Sequence, residues 1–154
     1  MTDSGLRELY QEIILDHGRH PRNFGALDGA NREAEGYNPL CGDRVKIYAK
    51  LDDAGRIDGL KFEGKGCAIS QASASLMTEM LQHRSKDEAE ALMEAFLHMV
   101  KGEEGHTPMS DDDKERLEVM AGVSEFPMRV KCATLAWHTL KSALDGANAT
   151  AKTE

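Results

Sequence analysis

The chain has 154 residues, which fits one domain of ordinary size, and 40% of them are hydrophobic, enough to build a core. No apolar run approaches the roughly 20 residues that a membrane span needs, and the net charge of −8 argues against nucleic acid as a partner, because phosphate binding needs a basic surface. The polar N-terminus lacks the basic start and apolar stretch of a signal peptide, so we expect a cytoplasmic protein that binds neither membranes nor nucleic acid.

The first half of the chain predicts one helix followed by antiparallel strands. Apolar residues at helical spacing predict a helix over residues 5–17, and a connector with proline and glycine follows it. Residues 32–37 form a short candidate strand, which leads into the tight turn NPLCGD. Alternating apolar residues then predict two strands, around 45–51 and 57–62.

The second half of the chain predicts four helices. The hydrophobic period changes at GKGCAIS, and apolar residues then repeat as in a helix over about 68–83. A second helix is predicted over 86–101. A third begins after Ser110, a good N-cap followed by three aspartates, and ends near Gly122. The last helix is predicted over about 128–145.

This order of elements predicts an α+β fold, with a small antiparallel sheet packed against several helices. The sequence contains no internal repeat and no domain linker, so we expect one domain over residues 1–146 and a disordered tail over 147–154. Residues 86–118 hold eleven acidic and four basic side chains, a net charge of −7. That segment is either a solvated helical face or a surface that docks a partner.

Three cysteines are of interest because each lies at the edge of a predicted element. An odd number of cysteines argues against a secreted disulfide framework and favours thiols in a reducing compartment. Cys41 lies in a turn before a strand, whereas Cys67 and Cys132 lie at or near helix starts, which favour the thiolate form. Asp43 follows Cys41 by two residues, so a strand places both side chains on one face. Such a set of three sulfurs and one oxygen suits Zn²⁺, and the thiolates suit part of an iron–sulfur cluster.

The spacing of these residues leaves two interpretations open. The chain has no CxxC pair, and free cysteines are common as small buried core residues. Gly42 and Gly66 favour a functional site, because they open the backbone beside two of the sulfurs, and packing alone does not require that.

The segments that carry these residues resemble the U-type iron–sulfur scaffold family. They are LYQEIILDHGRHPRNFG, NPLCGD, GCAISQASAS and RVKCATLAWHTL, in the order expected for that family, and the likeness extends to about residue 145. Lys131 precedes the third cysteine, where IscU-type members have a histidine. Residues 101–121 look like the helix-sized insertion of SufU-type members, so the chain resembles the SufU branch.

The resemblance implies a SufE/IscU-like α+β fold and a zinc ion held by Cys41, Asp43, Cys67 and Cys132. It also implies that Cys41 accepts persulfide sulfur from a SufS-like cysteine desulfurase, after a histidine of that partner replaces Cys41 at the metal. We therefore expect a sulfurtransferase-like carrier, working with other Suf assembly proteins, rather than a conventional turnover enzyme. Two rival hypotheses use the same ligands: a scaffold for a transient iron–sulfur cluster, and a structural zinc domain that serves as an adaptor.

Four further residues have more than one interpretation. Arg129 contacts the desulfurase, as the resemblance implies, or forms a surface salt bridge. Lys131 is a solvated helix residue, or its ammonium group lies beside the thiolates. His17 and His20 have a metal-like spacing, but a helix end and a connector explain them better, since a cation near a helix C-terminus is favourable.

Overall fold

The predicted α+β fold is confirmed by a computed structural model, which describes residues 3–103, 109–146 and 151–152. The elements in chain order are α1 (Asp3–Arg19), β1 (Arg32–Asn38), β2 (Asp43–Leu51), β3 (Ile57–Lys65), α2 (Ala68–Leu81), α3 (Lys86–Val100), α4 (Asp111–Leu117), a 3₁₀ segment (Glu118–Glu125), α5 (Pro127–Leu144) and β4 (Ala151–Lys152). Within these ranges, no helix is long and apolar enough to cross a membrane.

The sheet has the strand order β3-β2-β1-β4. Strands β1, β2 and β3 are antiparallel, and the register places Asn38 at the end of β1 opposite Asp43 at the start of β2. The short β4 pairs with β1 in parallel. Two residues of the tail expected to be disordered, Ala151 and Lys152, therefore lie on the sheet, because the edge of β1 offers free backbone hydrogen-bonding groups. The rest of that tail lies outside the described residues.

The core lies between one face of the sheet and the helices. Alternate residues of the strands, such as Ile47 and Phe62, are buried on this face, as the period of two requires. Helix α5 packs against β1, β2 and α2. It approaches β1 so closely that a Cβ at Gly36 would overlap the Thr139 hydroxyl. Trp137 of α5 also stacks on Phe96 of α3, with ring centroids 4.3 Å apart.

The largest departure from the predicted elements is in the third predicted helix. The α-helix ends at Leu117 and continues as the 3₁₀ segment to Glu125. Glycine and valine residues in this stretch have low helix propensity, and 3₁₀ turns commonly finish an α-helix. The expected end near Gly122 therefore falls inside a tighter helical segment rather than at its end.

Candidate metal centre

Three parts of the fold meet at one end of the sheet. The turn between β1 and β2 carries Cys41, and β2 begins at Asp43. The junction between β3 and α2 carries Cys67, and α5 carries Cys132. Because α5 packs against β1, β2 and α2, these segments lie side by side. The predicted ligands therefore meet in one region, although 91 positions separate Cys41 from Cys132 in the chain.

Cys41, Asp43 and Cys132 form the tightest part of this region. One ligand atom from each residue, two sulfurs and a carboxylate oxygen, lies within 4.8 Å of the other two. The two sulfurs are 3.4 Å apart, and both thiols are free. Asp43 and Cys132 are fully buried, whereas Cys41 is an exposed residue whose thiol is partly covered. The cluster thus has two members in the interior and one at the surface.

Cys67 is joined to this cluster through Asp43. Its sulfur lies 4.0 Å from Asp43 Oδ2, and its backbone N–H donates to Asp43 Oδ1 at 3.0 Å. Cys67 is also the N-cap of α2, where its sulfur accepts a hydrogen bond from the Ser70 N–H at 3.5 Å. Backbone N–H groups at a helix start favour a negative charge. The N-cap position therefore suits Cys67 as a thiolate ligand, as the sequence predicted.

Two glycines allow these close approaches. Gly42 lies between Cys41 and Asp43 with a φ of +72°, a left-handed conformation that other residues rarely adopt. A Cβ at Gly66 would lie only 2.5 Å from Asp43 Oδ1. Gly42 therefore reverses the chain beside Cys41, while Gly66 makes room for the carboxylate rather than for a sulfur.

The position of Cys132 in its helix differs from the position expected from the sequence, which was at or near the helix start. It is the sixth residue of α5, in the second turn, beyond the unpaired N–H groups of the helix N-terminus. Burial raises the pKa of its thiol well above the usual range, and the neighbouring Asp43 and Cys41 raise it further. A nearby cation would favour the ionised form of this thiol, and a metal held by the cluster would act in that way.

Asn38 also belongs to this region, although the sequence analysis did not single it out. Its side chain is fully buried opposite Asp43. Its Nδ2 donates to the Cys132 sulfur at 3.8 Å, and its Oδ1 accepts from the Leu40 N–H at 3.2 Å. Its backbone carbonyl accepts from the Gly42 N–H at 2.8 Å. The motif NPLCGD could have indicated this contact with the backbone, because an asparagine that opens a turn often binds the backbone two residues ahead.

Two basic residues of α5 border the thiols. Arg129 is exposed, and its pKa is raised first by the charge of Cys67 and then by a side-chain hydrogen bond to Cys132. Lys131 is half-buried, directly before Cys132. Arg129 therefore brings positive charge to the opening of the site, where it favours ionised thiols.

Exposed apolar side chains lie beside the same opening. Leu40, Phe126 and Met128 are 55%, 59% and 54% exposed. Leu40 directly precedes Cys41, and Met128 lies one turn before Cys132 on the same side of α5. Apolar groups that remain exposed together mark surfaces that bind other proteins. Leu40 and Met128 are therefore candidates for contact with another protein.

The donor types suit a four-coordinate zinc ion, which takes thiolate and carboxylate ligands. Zinc–sulfur bond lengths place two tetrahedral sulfur ligands roughly 3.8 Å apart, and the Cys41 and Cys132 sulfurs, 3.4 Å apart, lie close to that spacing. The Cys67 sulfur is 4.0 Å from Asp43 Oδ2 but lies outside the group of three whose ligand atoms are all within 4.8 Å of one another. Thiolates also bind iron–sulfur clusters, so the same residues suit a cluster as cargo.

His17 and His20 do not join this region. His17 lies in the last turn of α1 and is buried, with its Nδ1 2.8 Å from the Ser75 hydroxyl. His20 follows the helix and lies 3.6 Å from the Asp16 carboxylate at the surface. Their interpretation as helix-end and connector residues is confirmed.

Comparison with known proteins agrees with the fold and the site. The family described as NifU-like N terminal domain matches residues 9–133, most of the chain. The chain belongs to this family. The U-type likeness that the motifs indicated is therefore confirmed.

Relatives of this NifU-like domain cover nearly the whole chain. It is 40% identical over 144 residues to the iron–sulfur cluster assembly scaffold protein IscU of Streptococcus pyogenes serotype M1, which covers 94% of this chain and 87% of the relative. It is 39% identical over 139 residues to the zinc-dependent sulfurtransferase SufU of Bacillus subtilis strain 168, a match that covers 90% of this chain and 91% of the relative. A crystal structure of a putative iron–sulfur cluster assembly scaffold protein for the SUF system from Fervidobacterium islandicum AW-1 has a TM-score of 0.77 and 36% sequence identity. The match covers 90% of this chain and 98% of that chain.

Proposed function

We propose that this U-type protein is a zinc-dependent sulfur acceptor, which takes persulfide sulfur from a SufS-like cysteine desulfurase for iron–sulfur cluster assembly. The observation that carries the proposal is the unequal exposure of the ligands. Asp43 and Cys132 are fully buried, whereas Cys41 is exposed. A buried ligand suits permanent metal binding, and an exposed thiol suits reaction with a partner, since access controls thiol exchange.

Cys41 is the residue that accepts the sulfur. Its thiolate attacks the outer sulfur of the persulfide on the desulfurase, the S–S bond breaks, and the desulfurase cysteine leaves as a thiolate. Cys41 then carries the persulfide, so one sulfur atom has moved without net oxidation or reduction. Asp43, Cys67 and Cys132 would hold the metal during this step. Bound zinc would keep the thiols ionised and protect them from oxidation.

The rim of the opening supports a protein partner. Leu40, directly before Cys41, and Phe126 and Met128, at the start of the helix that carries Cys132, are exposed apolar residues, and Arg129 adds a positive charge. A complementary partner has an apolar patch beside an acidic group. We expect Met128→Ala to weaken desulfurase binding by roughly 10-fold, the effect typical of an interface anchor. Leu15→Ala, at an exposed leucine of α1, is the control, and equal binding by both variants would contradict this docking surface.

The SufU branch is supported by three features. Lys131 occupies the position where the family resemblance places a histidine in IscU-type members. Helix α4 falls within the helix-sized insertion expected at 101–121, and the 3₁₀ segment begins there. The Bacillus relative, similar over 90% of this chain, is named a zinc-dependent sulfurtransferase.

A sulfur-transfer assay with the desulfurase tests the proposal. We expect the wild-type protein to accept sulfur and stimulate the desulfurase, and Cys41→Ala to do neither. A Cys41→Ala variant that accepted sulfur and stimulated the desulfurase normally would overturn the role of Cys41. Metal analysis of protein purified without added metal is the companion measurement, and we expect one zinc ion per chain.

A second candidate function is that of a scaffold on which an iron–sulfur cluster is built and passed to apo-proteins. The 40% identity to the Streptococcus scaffold protein favours it, and the three thiols suit a cluster as cargo. Anaerobic reconstitution followed by transfer to an apo-acceptor tests this function. A coloured, iron-bearing protein that passes on its cluster would support it, and failure of assembly or transfer would count against it.

A further inference from the structure

We propose that Asn38 is a positioning residue of the metal site, which holds the Cys132 sulfur as a fixed ligand and shapes the turn that carries Cys41. The proposal rests on the proposed function only in naming Cys41 as the ligand that exchanges. Its contacts are those of a residue that links two ligands rather than of an ordinary turn residue.

The location of Asn38 makes it rigid. It is the last residue of β1, and the sheet register pairs it with Asp43, so its backbone is fixed relative to one ligand. Its side chain is fully buried. A buried amide is costly unless its polar atoms are hydrogen-bonded, so its orientation is set by the partners that it finds.

The two ends of the side chain bind different parts of the site. Nδ2 donates to the Cys132 sulfur at 3.8 Å, and Oδ1 accepts from the Leu40 N–H at 3.2 Å. The backbone carbonyl of Asn38 also accepts from the Gly42 N–H at 2.8 Å. The residues on both sides of Cys41 are thus bound to Asn38, while the Cys41 thiol itself contacts the Cys132 sulfur at 3.4 Å.

This arrangement separates a fixed sulfur from an exchangeable one. An N–H donor aimed at a metal-bound thiolate orients the ligand and disperses its charge, and such outer partners strongly affect metal affinity. Cys132 receives this bond inside the core, whereas Cys41 lies at the surface on a turn whose backbone stays in place. Asn38 therefore keeps Cys132 bound to the metal and holds the turn that exposes Cys41 at the surface.

Two variants separate the sulfur contact from the shaping of the turn. Asn38→Ser keeps a short acceptor for the Leu40 N–H, because serine makes the same type of turn more weakly, but it is too short to reach the Cys132 sulfur. Asn38→Ala removes both contacts. Asn31→Ala is the matched control, since Asn31 binds both the Leu51 carbonyl at 2.8 Å and the Leu51 N–H at 2.9 Å at the other end of the strand pair.

The measurements are made on the full chain with zinc and with Co²⁺ as probes. We expect Asn38→Ser and Asn38→Ala to weaken zinc binding by roughly 10- to 100-fold in competition with a chelator. We also expect both to alter the cobalt–thiolate charge-transfer bands. Asn31→Ala should leave affinity and spectra unchanged, and unfolding of the three metal-free variants shows whether each is folded. Wild-type affinity and spectra in Asn38→Ser would overturn the proposal.

Thiol labelling of the zinc-loaded protein gives a second readout. In the wild type, we expect iodoacetamide to modify Cys41 before Cys132, as located by peptide mass spectrometry. In Asn38→Ser, this preference should fall several-fold, because Cys132 is no longer held. An unchanged order in the variant would contradict the positioning role. Neither readout uses the desulfurase. The role of Asn38 can therefore be contradicted while sulfur transfer to Cys41 succeeds, and it can be supported while sulfur transfer fails.

Discussion

At the scale of single residues, the Asp43 carboxylate shows how this site is oriented before any metal binds. Oδ1 accepts the Cys67 N–H at 3.0 Å, and Oδ2 faces the Cys67 sulfur at 4.0 Å. A fully buried carboxylate is unfavourable without such partners. The missing side chain of Gly66 makes this position available, because any Cβ there would meet Oδ1. The start of α2 therefore fixes an oxygen ligand as well as a sulfur ligand.

Gly66→Ala tests this orientation. Its Cβ would lie 2.5 Å from Asp43 Oδ1, so the carboxylate must move, and we expect zinc affinity to fall by roughly 10-fold or more. The measurement is chelator competition. Gly122→Ala is the control, since a Cβ at Gly122 meets no other atom within 4 Å. Unchanged zinc affinity in Gly66→Ala would show that Asp43 does not bind the metal in this position.

His17 makes stability depend on pH. Burial lowers the pKa of His17 below its ordinary value of 6.5, and the charge of Arg22 lowers it further. The unfolded chain therefore binds more protons than the folded chain as the pH falls below 6.5, and the free energy of unfolding decreases. We expect denaturant unfolding to show this loss as the pH falls from about 6.5 toward the lowered pKa of His17 in the folded state. His17→Gln should lose less stability over the same range, and an equal loss would contradict this assignment.

At the scale of elements, a largely buried ion pair joins the inserted helix α4 to the rest of the domain. With seven residues, α4 is too short to be stable alone. Arg84, between α2 and α3, binds the Met80 carbonyl at 2.7 Å and forms two bonds to the Asp113 carboxylate, at 2.7 and 3.0 Å. Both side chains are largely buried, at 28% and 13% exposure. This forked pair ties the insertion to the rest of the domain.

Arg84→Lys keeps the charge but removes the forked geometry. We expect it to lower the free energy of unfolding by about 1–2 kcal/mol, and to speed hydrogen exchange in α4 before the rest of the chain. Arg116→Lys is the control, because Arg116 makes a single surface contact with Glu79 at 3.4 Å and should change stability by less than about 0.5 kcal/mol. Equal effects of the two variants would show that the pair does not hold α4.

At the scale of the whole molecule, the core extends well beyond the candidate metal site, although buried Cys132 belongs to both. The core packs the inner face of the sheet against α2, α3 and α5, and it includes the stacked Phe96 and Trp137. The site lies at one end of the sheet. From a core of this size we expect the fold to form without a metal, so that a bound zinc ion would add stability by mass action rather than create the structure.

Removal of the metal with a chelator tests this separation. We expect the metal-free protein to keep its circular dichroism and a cooperative unfolding transition, with a midpoint lowered by the lost binding energy. Complete unfolding on metal removal would instead favour the structural zinc domain. Readdition of zinc to the chelated protein is the control, and it should restore the original midpoint.

Much of this architecture is predictable from sequence, because local patterns determine it. The alternation in Val45–Leu51 predicts a half-buried strand, and Ser110 with its aspartates predicts the start of α4. Features that depend on distant packing are not predictable in this way. The burial of Cys132 follows from α5 lying on the sheet, and the pairing of Arg84 with Asp113 joins residues 29 positions apart.

The candidate site divides in the same manner. Cys41, Gly42 and Asp43 belong to one short motif that the sequence makes visible, although its spacing alone leaves a packing role open. The contact from Asn38 to Cys132 spans 94 positions and appears only when β1 and α5 are placed together. The motif contained Asn38, but only the fold relates it to a sulfur.

Mass spectrometry of the protein after reaction with the desulfurase and cysteine tests the central claim most directly. The zinc-loaded protein is mixed with both, separated from the desulfurase, alkylated and digested without reductant. We predict one additional sulfur atom on the peptide that contains Cys41, and none on the peptides that contain Cys67 or Cys132. Sulfur on Cys67 or Cys132 instead, or a stimulated desulfurase that leaves Cys41 unmodified, would contradict the account.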